Sequence, residues 1–396
     1  MRILLIVFNL VGQGTYWRAY HLGRELAARG HAVTLLATAR AARLRFRERA
    51  EAGLHIVEAP DLTSGALRSG WDPWAALRRI GWLTGRTFDI VHAFEARPVV
   101  LAPALAAQRR GARLLMDWCD WFGRGGSVEE RPNPLLRAVL RPVETFFEER
   151  FRRRAAGTTV INTFLGARAR ALGVPAETVT LIRNGSDTRV PVLDRAAARA
   201  QVGLAGPAPL IGFVGGTYAR DAALMAAALN HVHRARPDAR LLLVGYFNRP
   251  IEADLDQPER VVRTGPLATG QLYPFLAACE VCWLPLCDTG ANRGRWPLKL
   301  NDYMTVARPV VATGVGDLAA VVPQYQLGVV APDEPGAFAA ATLALLADPA
   351  EQARLGQAAR RAAEGEFSWR RQADYLEAAY RRVSGPVGQA GLYPEA

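Results

Sequence analysis

Short apolar stretches alternate with amphipathic helical patterns along most of the chain. The first apolar stretch covers residues 2–9, a glycine turn and a helical pattern over 16–29 follow it, and a second apolar stretch covers 32–38. This order predicts two parallel strands joined by a helix. Further strands of this region are predicted at 55–58, 90–93, 113–117 and 158–161. Because helical patterns separate them, we expect a doubly wound α/β domain with helices on both faces of a parallel sheet.

The same alternation starts again in the second half of the chain. It follows the turn sequence 184–187 and an alanine-rich stretch ending in the loop 203–209, which we interpret as the linker region. Strands of this half are predicted at 210–214, 240–244, 261–263, 281–285, 310–313 and 328–330, and the segment 349–383 is predicted to be helical. We therefore expect Rossmann-like domains over 1–195 and 205–368, with ligands in a cleft at the carboxyl ends of both sheets. A flexible tail is expected after residue 384.

The composition agrees with two α/β domains and with a cytoplasmic location. Half of the 396 residues are hydrophobic, but no stretch reaches the roughly 18 to 20 uncharged apolar residues of a membrane span. The apolar start lacks the small-residue cleavage site of a signal peptide. Four cysteines, at 119, 279, 282 and 287, are too few and too uneven for a disulfide framework, and we interpret Cys279 and Cys282 as buried thiols rather than zinc ligands.

The charge is positive and comes almost wholly from arginine. The formal net charge is +12, and Lys299 is the only lysine. A positive field favours anionic partners such as nucleoside diphosphates or anionic lipid headgroups. The arginines are spread over many predicted helices without interleaved aromatic residues or a recognition-helix motif, which argues against a nucleic-acid partner.

The stretch 135–154 alternates apolar and basic residues at helical spacing and ends in a cluster of arginines. Such a helix can lie on an anionic membrane surface. It can equally pack on its own domain, and Glu144, Glu148 and Glu149 favour packing because anionic lipid would repel them. Both interpretations stay open at this point.

Several segments, taken together in order and spacing, resemble the retaining glycosyltransferases of family 4, which have the GT-B fold. These segments are GQGTYWRAYHLGRELAARGHAVTLLAT, FDIVHAFEARP, VTLIRNGSD, LIGFVGGTYARD, VVRTGPLATGQLYPFLAACEVCWLPL and RWPLKLNDYMTVARPVVATGVGD. The resemblance implies two facing Rossmann-like domains and transfer of a sugar from a nucleoside-diphosphate sugar, with retention, to a glycan, lipid-linked or small-molecule acceptor. It also implies that 369–396, which starts at the last residue of the FSW element 367–369, forms a helix returning to the first domain.

The leaving diphosphate of such a donor must be stabilised by cations, backbone amides and helix termini if no metal or cofactor takes part. Gly215, Gly216 and Thr217 follow a predicted strand, where absent side chains let backbone amides approach phosphate oxygens; a plain tight turn is the alternative. Arg220 resembles the arginine that the family places on the diphosphate. Lys299, one turn inside a predicted helix, would add a full charge there, unless it is a surface lysine.

The carboxylate pattern of the family is only half present. Asp302 falls at the second of two positions eight residues apart and is expected to accept hydrogen bonds from the donor ribose. The first position is Gly294, so Arg293, Arg295 or Asn292 is expected to contact the donor sugar instead, with Leu298 beside them. The nucleobase is expected at Arg263, Thr264 and Gly265, together with Gly245 and Tyr246.

In the first half, the loop containing Gly14 resembles the glycine loop that approaches the diphosphate and the acceptor. Asp117 and Asp120 occupy the place where many relatives have a histidine near the transferred sugar. Either carboxylate could steady the transition state or take the acceptor proton, or else cap the following loop. Residues 123–126 are expected to form a flexible loop. His92 is a candidate base, but its place in a buried strand fits a structural histidine at least as well.

No metal site is predicted. The sequence DLD at 254–256 resembles the metal-binding motif of another glycosyltransferase fold but lies after the wrong strand. Two alternatives to a glycosyltransferase stay open: a nucleotide-sugar epimerase of the same fold and a catalytically silent sugar-nucleotide binding subunit. The missing carboxylate at Gly294 speaks against the epimerase and keeps the silent subunit open.

Overall fold

The protein is described from a computed structural model covering residues 1–40, 44–62, 70–268 and 270–385. It forms two compact units, one made of Met1–Arg183 with Gln372–Ala396 and the other of Asn184–Arg371. This division into compact units does not test the domain bounds predicted at 195, 205, 368 and 369, which stay predictions. The flexible tail expected after 384 falls almost wholly on residues outside the described part of the chain.

Unit 1 is built on an eight-stranded sheet. Its strands are β1 (Arg2–Leu10), β2 (Ala32–Thr38), β3 (Arg47–Glu51), β4 (Leu54–Ala59), β5 (Ile90–Phe94), β6 (Arg113–Trp118), β7 (Gly157–Val160) and β8 (Val179–Leu181). Its helices are α1 (Thr15–Ala27), α2 (Pro73–Trp82), α3 (Pro98–Arg109), α4 (Pro134–Arg150) and α5 (Thr163–Ala171). The strand order is β3-β4-β2-β1-β5-β6-β7-β8, and β1, at the centre, is apolar along most of its length because helices cover both faces of the sheet.

Unit 2 has a six-stranded, wholly parallel sheet. Its strands are β9 (Leu210–Val214), β10 (Arg240–Val244), β11 (Val261–Arg263), β12 (Val281–Leu284), β13 (Val310–Thr313) and β14 (Gly328–Ala331), in the order β11-β10-β9-β12-β13-β14. The helices of this part of the chain are α6 (Arg195–Gln201), α7 (Ala219–Ala235), α8 (Leu272–Ala277), α9 (Gly290–Arg293), α10 (Leu298–Thr305), α11 (Leu318–Gln324), α12 (Pro335–Leu346), α13 (Pro349–Glu364) and α14 (Trp369–Ser384). The predicted α/β class with two parallel-sheet units is confirmed.

The structure contains strands that the sequence pattern did not predict. Strand β3, with the sequence RERAE, pairs antiparallel with β4 at the edge of the sheet. Its side chains are mostly exposed, so it carries no apolar run, and a tight turn at Ala52 and Gly53, both with positive φ, specifies the hairpin instead. The short β8 at the other edge was also missed.

The segment predicted as one helix over 349–383 is broken into α13 and α14. Gly365 ends α13, and the Ser368 hydroxyl accepts a hydrogen bond from the Arg371 N–H at 3.2 Å, which caps α14. Between them Phe367 is fully buried and stacks on Trp296, with the ring centroids 5.4 Å apart. The break therefore lets an aromatic side chain enter the core of unit 2.

The last helix passes from unit 2 into unit 1, as the predicted fold class requires. From Gln372 onward α14 belongs to unit 1, and the Gln372 side chain accepts a hydrogen bond from the Arg183 N–H at 2.8 Å. Further along, the Tyr380 hydroxyl lies 2.8 Å from Nδ1 of His92 in β5. Among the described residues, no helix combines the length and the apolar character needed to cross a membrane.

Candidate functional site

A glycine loop follows the central strand β9 of unit 2. Gly215 has φ +69°, and its N–H donates to the Val244 carbonyl at 2.9 Å. The Asn248 side chain, from the loop after β10, accepts from the Thr217 N–H at 2.8 Å and donates to the Thr217 carbonyl at 3.2 Å. A Cβ on Gly216 would lie 2.8 Å from Asn248 Oδ1. Positive φ and this close approach explain the two glycines, and the Asn248 bonds hold the loop in one shape.

Lys299 reaches the same loop from the first turn of α10. Its Nζ donates to the Gly216 carbonyl at 2.7 Å and stands 4.9 Å from the centre of the Phe213 ring. Burial, and then the charge of Arg295, lower the pKa of Lys299 to about 7. A bound anion would favour the ammonium form of Lys299. The side chain would therefore carry its full positive charge when a phosphate lies beside it. The preceding Leu298 is 38% exposed.

Asp302 lies one turn further along α10 and is half-buried. Burial raises its pKa to about 7, although the charge of Lys299 and a hydrogen bond with Tyr273 oppose that shift. Burial, and then the charge of Asp302, raise the pKa of Tyr273. Unit 2 thus brings together the predicted phosphate lysine, the predicted ribose carboxylate and the glycine loop at the carboxyl end of its sheet.

Asp221, which sequence reasoning missed, links the loops of this site. It is 1% exposed and lies in the first turn of α7. One carboxylate oxygen accepts from the Cys287 N–H at 2.8 Å and from the Asn292 side chain at 2.9 Å. The other accepts from the Thr217 hydroxyl at 3.2 Å and lies 3.4 Å from the Arg295 guanidinium. An acidic residue directly after a glycine loop and Arg220 was the signal that could have identified it.

The predicted arginines of unit 2 have different surroundings. Arg220 is exposed on the first turn of α7 and forms no ion pair with any residue that the structure describes. Arg293 is paired with Asp288. The Arg295 guanidinium stands 4.8 Å from the centre of the Tyr218 ring. Arg220 and Arg295 therefore lie on or beside the glycine loop, where Arg295 also faces the Asp221 carboxylate, whereas Arg293 pairs with Asp288.

The predicted nucleobase residues are only partly together. The Thr264 hydroxyl accepts from the Gly245 N–H at 2.8 Å and donates to the Gly265 carbonyl at 2.9 Å, so three of them share one hydrogen-bonded corner. Arg263 points elsewhere: its exposed guanidinium pairs with Glu252.

In unit 1, a glycine turn follows β1. Gly14 precedes α1 with φ +53°, and a Cβ there would lie 2.6 Å from Asn9 Nδ2. The next side chain, Thr15 Oγ1, is 3.6 Å from Sγ of Cys119. The turn therefore meets the loop after β6, which contains Asp120, whereas Asp117 lies within β6 itself.

Asp117 is fully buried and bound on both oxygens. The Arg18 guanidinium donates to both at 2.9 Å, and the Thr159 hydroxyl donates to one of them. Burial alone would raise the pKa of Asp117, but Arg18 holds it below its usual value. Arg18 also donates to the carbonyls of Ile182 and Arg183. In this arrangement Asp117 anchors α1 and the end of β6 and offers no oxygen to a ligand.

Asp120 lies in a cluster with Glu95, which sequence reasoning missed. Ligand atoms of Glu95, Cys119 and Asp120 all lie within 4.8 Å of one another. The Cys119 thiol and N–H both donate to Glu95, at 2.5 and 3.2 Å. Burial, and then the charge of Asp120, raise the pKa of Glu95 well above its ordinary value, so the environment favours its protonated form. Its φ of +72° is rare for a residue other than glycine. Glu95 follows β5 in the sequence much as Asp120 follows β6. This shared position after a strand is the sequence signal that could have identified Glu95.

His92 has a hydrogen-bond partner at each ring nitrogen. Nδ1 lies 2.8 Å from the Tyr380 hydroxyl, and Nε2 lies 3.0 Å from the Thr159 hydroxyl. Burial lowers the pKa of His92 to about 4, so it is neutral at physiological pH. These contacts place it as a structural histidine.

The loop expected to be flexible, 123–126, is held by helix α4. The Gly123 N–H donates to Glu148 at 2.7 Å, and the Arg124 N–H donates to the Thr145 hydroxyl at 2.8 Å. A Cβ on Gly126 would lie 2.2 Å from the Trp121 carbonyl. Its glycines allow close packing, and the loop is fixed by hydrogen bonds.

Two family models match the chain, one in each half. The glycosyl transferase 4-like domain matches residues 12–185, and glycosyl transferases group 1 matches residues 208–348. A D-inositol 3-phosphate glycosyltransferase of Segniliparus rotundus is 30% identical over 194 residues, which are 48% of this chain and 43% of that relative. An enzyme of the same name from Kineococcus radiotolerans is 28% identical over 351 residues, which are 80% of this chain and 72% of the relative.

Solved structures share the fold over nearly the whole chain. Sucrose-phosphate synthase from Thermosynechococcus elongatus has a TM-score of 0.73 at 19% identity, covering 96% of this chain and 98% of that chain. WaaG, a glycosyltransferase involved in lipopolysaccharide biosynthesis, has a TM-score of 0.68 at 16% identity, covering 95% and 98%. HepE of Anabaena, solved with UDP and glucose, has a TM-score of 0.65 at 15% identity, covering 96% and 98%. These likenesses confirm the predicted GT-B fold.

Proposed function

Because the chain belongs to the group 1 glycosyltransferases, we propose that it transfers a sugar from a nucleoside-diphosphate sugar to an acceptor, and that unit 2 binds the donor. The observation that carries this proposal is the position of the Lys299 ammonium, which is fixed against the glycine loop 215–217 at the carboxyl end of a parallel sheet. Ligands of open α/β sheets bind at that edge. The structure of HepE with UDP and glucose supports the same class of donor.

The chemistry follows from where negative charge develops. As the bond between the anomeric carbon and the phosphate oxygen breaks, Lys299, Arg220 and Arg295 stabilise the departing diphosphate together with the N-terminus of α7. Asp302 accepts hydrogen bonds from the ribose. We propose retention by front-side attack: the acceptor oxygen bonds to the anomeric carbon on the face that the phosphate leaves, and the acceptor proton passes to the leaving phosphate oxygen.

No metal or cofactor is needed in this proposal. Fixed positive charge on unit 2 supplies what a divalent ion supplies in other transferases. The Glu95–Cys119–Asp120 cluster of unit 1 is a poor alternative, because burial disfavours the ionised form of Glu95 and hard cations prefer ionised oxygen ligands. Activity is therefore expected to survive a chelator.

We propose that unit 1 presents the acceptor beside Asp120. The acceptor is a glycan, a lipid-linked sugar or a small molecule. The names of the two relatives make an inositol phosphate the first small molecule to test. A lipid-linked acceptor requires that the protein work at a membrane surface.

The test starts with thermal unfolding of the full chain in the presence of UDP, GDP and ADP sugars. A nucleotide at about 100 times its Kd adds about 2.7 kcal/mol to the free energy of unfolding, so the right donor raises the Tm by several degrees. That donor is then incubated with candidate acceptors, with and without EDTA, and release of nucleoside diphosphate is followed. We expect release that EDTA does not change.

Three outcomes would overturn the proposal. Conversion of the donor into its epimer without transfer would identify an epimerase. Binding without turnover, even as slow donor hydrolysis, would identify a silent binding subunit. Loss of turnover in EDTA, restored by a divalent ion, would refute the metal-free mechanism.

A further inference from the structure

Helix α4 of unit 1 turns its apolar face to solvent. Leu135 is 78% exposed, Val139 63%, Phe146 51% and Leu136 46%. Leu135, Val139 and Phe146 recur at helical spacing, so they lie along one side. A surface helix of a globular protein normally shows the opposite pattern, with its apolar stripe against the core. An exposed row of large apolar side chains marks an interaction surface.

The acidic residues of α4 face the protein. Glu144 and Glu148 are each 3% exposed. Glu144 pairs with Arg131 at 3.1 Å, and Glu148 accepts from Trp118 Nε1 at 2.8 Å. The repulsion between these glutamates and anionic lipid, which favoured simple packing from the sequence, therefore does not arise at the outer surface.

The charges beside the apolar face are positive. Arg150, at the end of α4, and Arg153 and Arg154 just after it are exposed. Within the described part of the chain, none of these three has a carboxylate partner. Glu149 is half-buried and paired with Arg168. The outer side of this region thus combines apolar side chains with unneutralised guanidinium groups.

We propose that this surface, the α4 patch, docks on an anionic phospholipid membrane. It consists of Leu135, Leu136, Val139, Phe146, Arg150, Arg153 and Arg154. The apolar side chains enter the boundary between headgroups and acyl chains, and the arginines bind lipid phosphates. Charge complementarity selects an anionic bilayer over a second copy of this chain, because two such patches would bring their arginines together.

Docking has a consequence for the acceptor that rests on the proposed function. The inward face of α4 holds the loop 123–126 through Glu148 and Thr145, and Asp120 lies a few residues before that loop. The same helix would therefore contact the membrane on one face and support the candidate acceptor site on the other. A lipid-linked acceptor fits this arrangement.

The test is sedimentation of the purified full chain with vesicles. One set contains phosphatidylcholine alone, and the other contains 30% phosphatidylglycerol. We expect binding to the anionic vesicles only. A Val139→Glu, Phe146→Glu variant should bind at least tenfold more weakly, and an Arg150→Gln, Arg153→Gln, Arg154→Gln variant on the order of a hundredfold more weakly. Val192→Glu, which changes an exposed apolar residue of unit 2 in the same way, should bind like the parent.

The Tm of each variant shows whether it is folded. If the double glutamate variant is unfolded, the result of the arginine variant decides the test. Equal binding to both vesicle types, no binding to either, or unchanged binding of the folded variants would overturn the proposal. A dimer in light scattering that Val139→Glu dissociates would show that the patch is a subunit interface instead. Vesicle binding does not require turnover, so it fails or succeeds independently of the proposed function.

Discussion

The two units have similar parallel sheets but different charged groups at the carboxyl ends of their strands. In unit 2 the cations Arg220, Arg295 and Lys299 lie on the first turns of helices or just before them, beside the carboxyl groups of Asp221 and Asp302. In unit 1 the carboxyl groups of Glu95 and Asp120 lie within two residues of the ends of β5 and β6. This contrast is the reason for proposing that unit 2 holds the departing diphosphate and unit 1 the acceptor.

Burial disfavours the charged form of Lys299 in unit 2 and of Glu95 in unit 1. It lowers the pKa of Lys299 to about 7, and it raises the pKa of Glu95 well above its ordinary value. The two shifts have different uses. A phosphate would restore the charge of Lys299, whereas the surroundings of Glu95 favour its protonated form.

The largest effect is expected from removing the cation of unit 2. Lys299→Met should lower turnover of the donor on the order of a hundredfold to a thousandfold, because the diphosphate loses its nearest positive charge as it leaves. Initial rates at saturating donor measure this. Arg240→Met is the matched control, since it removes a cation from the opposite edge of the same sheet. If the two variants turn over the donor at the same rate, the charge of Lys299 has no role in catalysis, and the contrast between the units does not bear on the reaction.

A smaller effect is expected from Asp221→Asn. The amide keeps the size of the side chain but replaces one of two oxygens that together receive bonds from Thr217, Cys287 and Asn292. A buried donor left unpaired costs about 1 to 3 kcal/mol, so the Tm should fall by several degrees and turnover by about tenfold. Calorimetry and initial rates measure the two changes.

Asp254→Asn, at an exposed position of unit 2, is the matched control for that prediction. It should leave both values unchanged. An Asp221→Asn variant with the parent Tm would show that the loops keep their positions without this carboxylate.

The smallest effect is expected in unit 1, from Glu95→Gln. In the unfolded chain Glu95 loses its proton above about pH 4.5, whereas in the folded protein it keeps the proton to a higher pH, so this residue lowers wild-type stability as the pH rises toward the folded-state pKa. Glutamine mimics the neutral acid and still accepts from Cys119. The Tm of the variant, relative to the Tm of the wild type, should therefore increase from pH 5 to pH 8.

Thermal scans at four pH values in one ionic strength test this. A Tm difference that stays constant over that range would mean that Glu95 is ionised in the folded protein. The pKa values of Glu95 and Lys299 would then not be shifted in opposite directions.

The sequence predicted the elements well where a strand is covered on both faces. The bounds of β2, β9, β10 and β13 agree with the predicted ranges, because a buried parallel strand is read as a continuous apolar run. It failed for β3, whose side chains are exposed, and for the break before α14, where Phe367 packs on Trp296 from another part of the chain. Those features depend on tertiary contacts, which periodicity does not contain.

Site prediction had the same limit. Lys299, Asp302 and the glycine loop come together as expected, because residues following parallel strands meet at one edge of a sheet. The burial of Asp117 by Arg18 was not predictable, since the partner lies 99 residues away in sequence. Periodicity likewise predicted an amphipathic α4 but could not tell which face is inside. Glu148 decides that by binding the backbone of the loop 123–126.

The discontinuity of unit 1 determines the order in which the chain can fold during synthesis. Unit 2 is one continuous segment, whereas unit 1 needs Gln372 and Tyr380 to bond with Arg183 and His92. A ribosome releases all of unit 2 before it releases the helix that completes unit 1. The first 183 residues therefore emerge before the contacts of α14 that cover His92 can form.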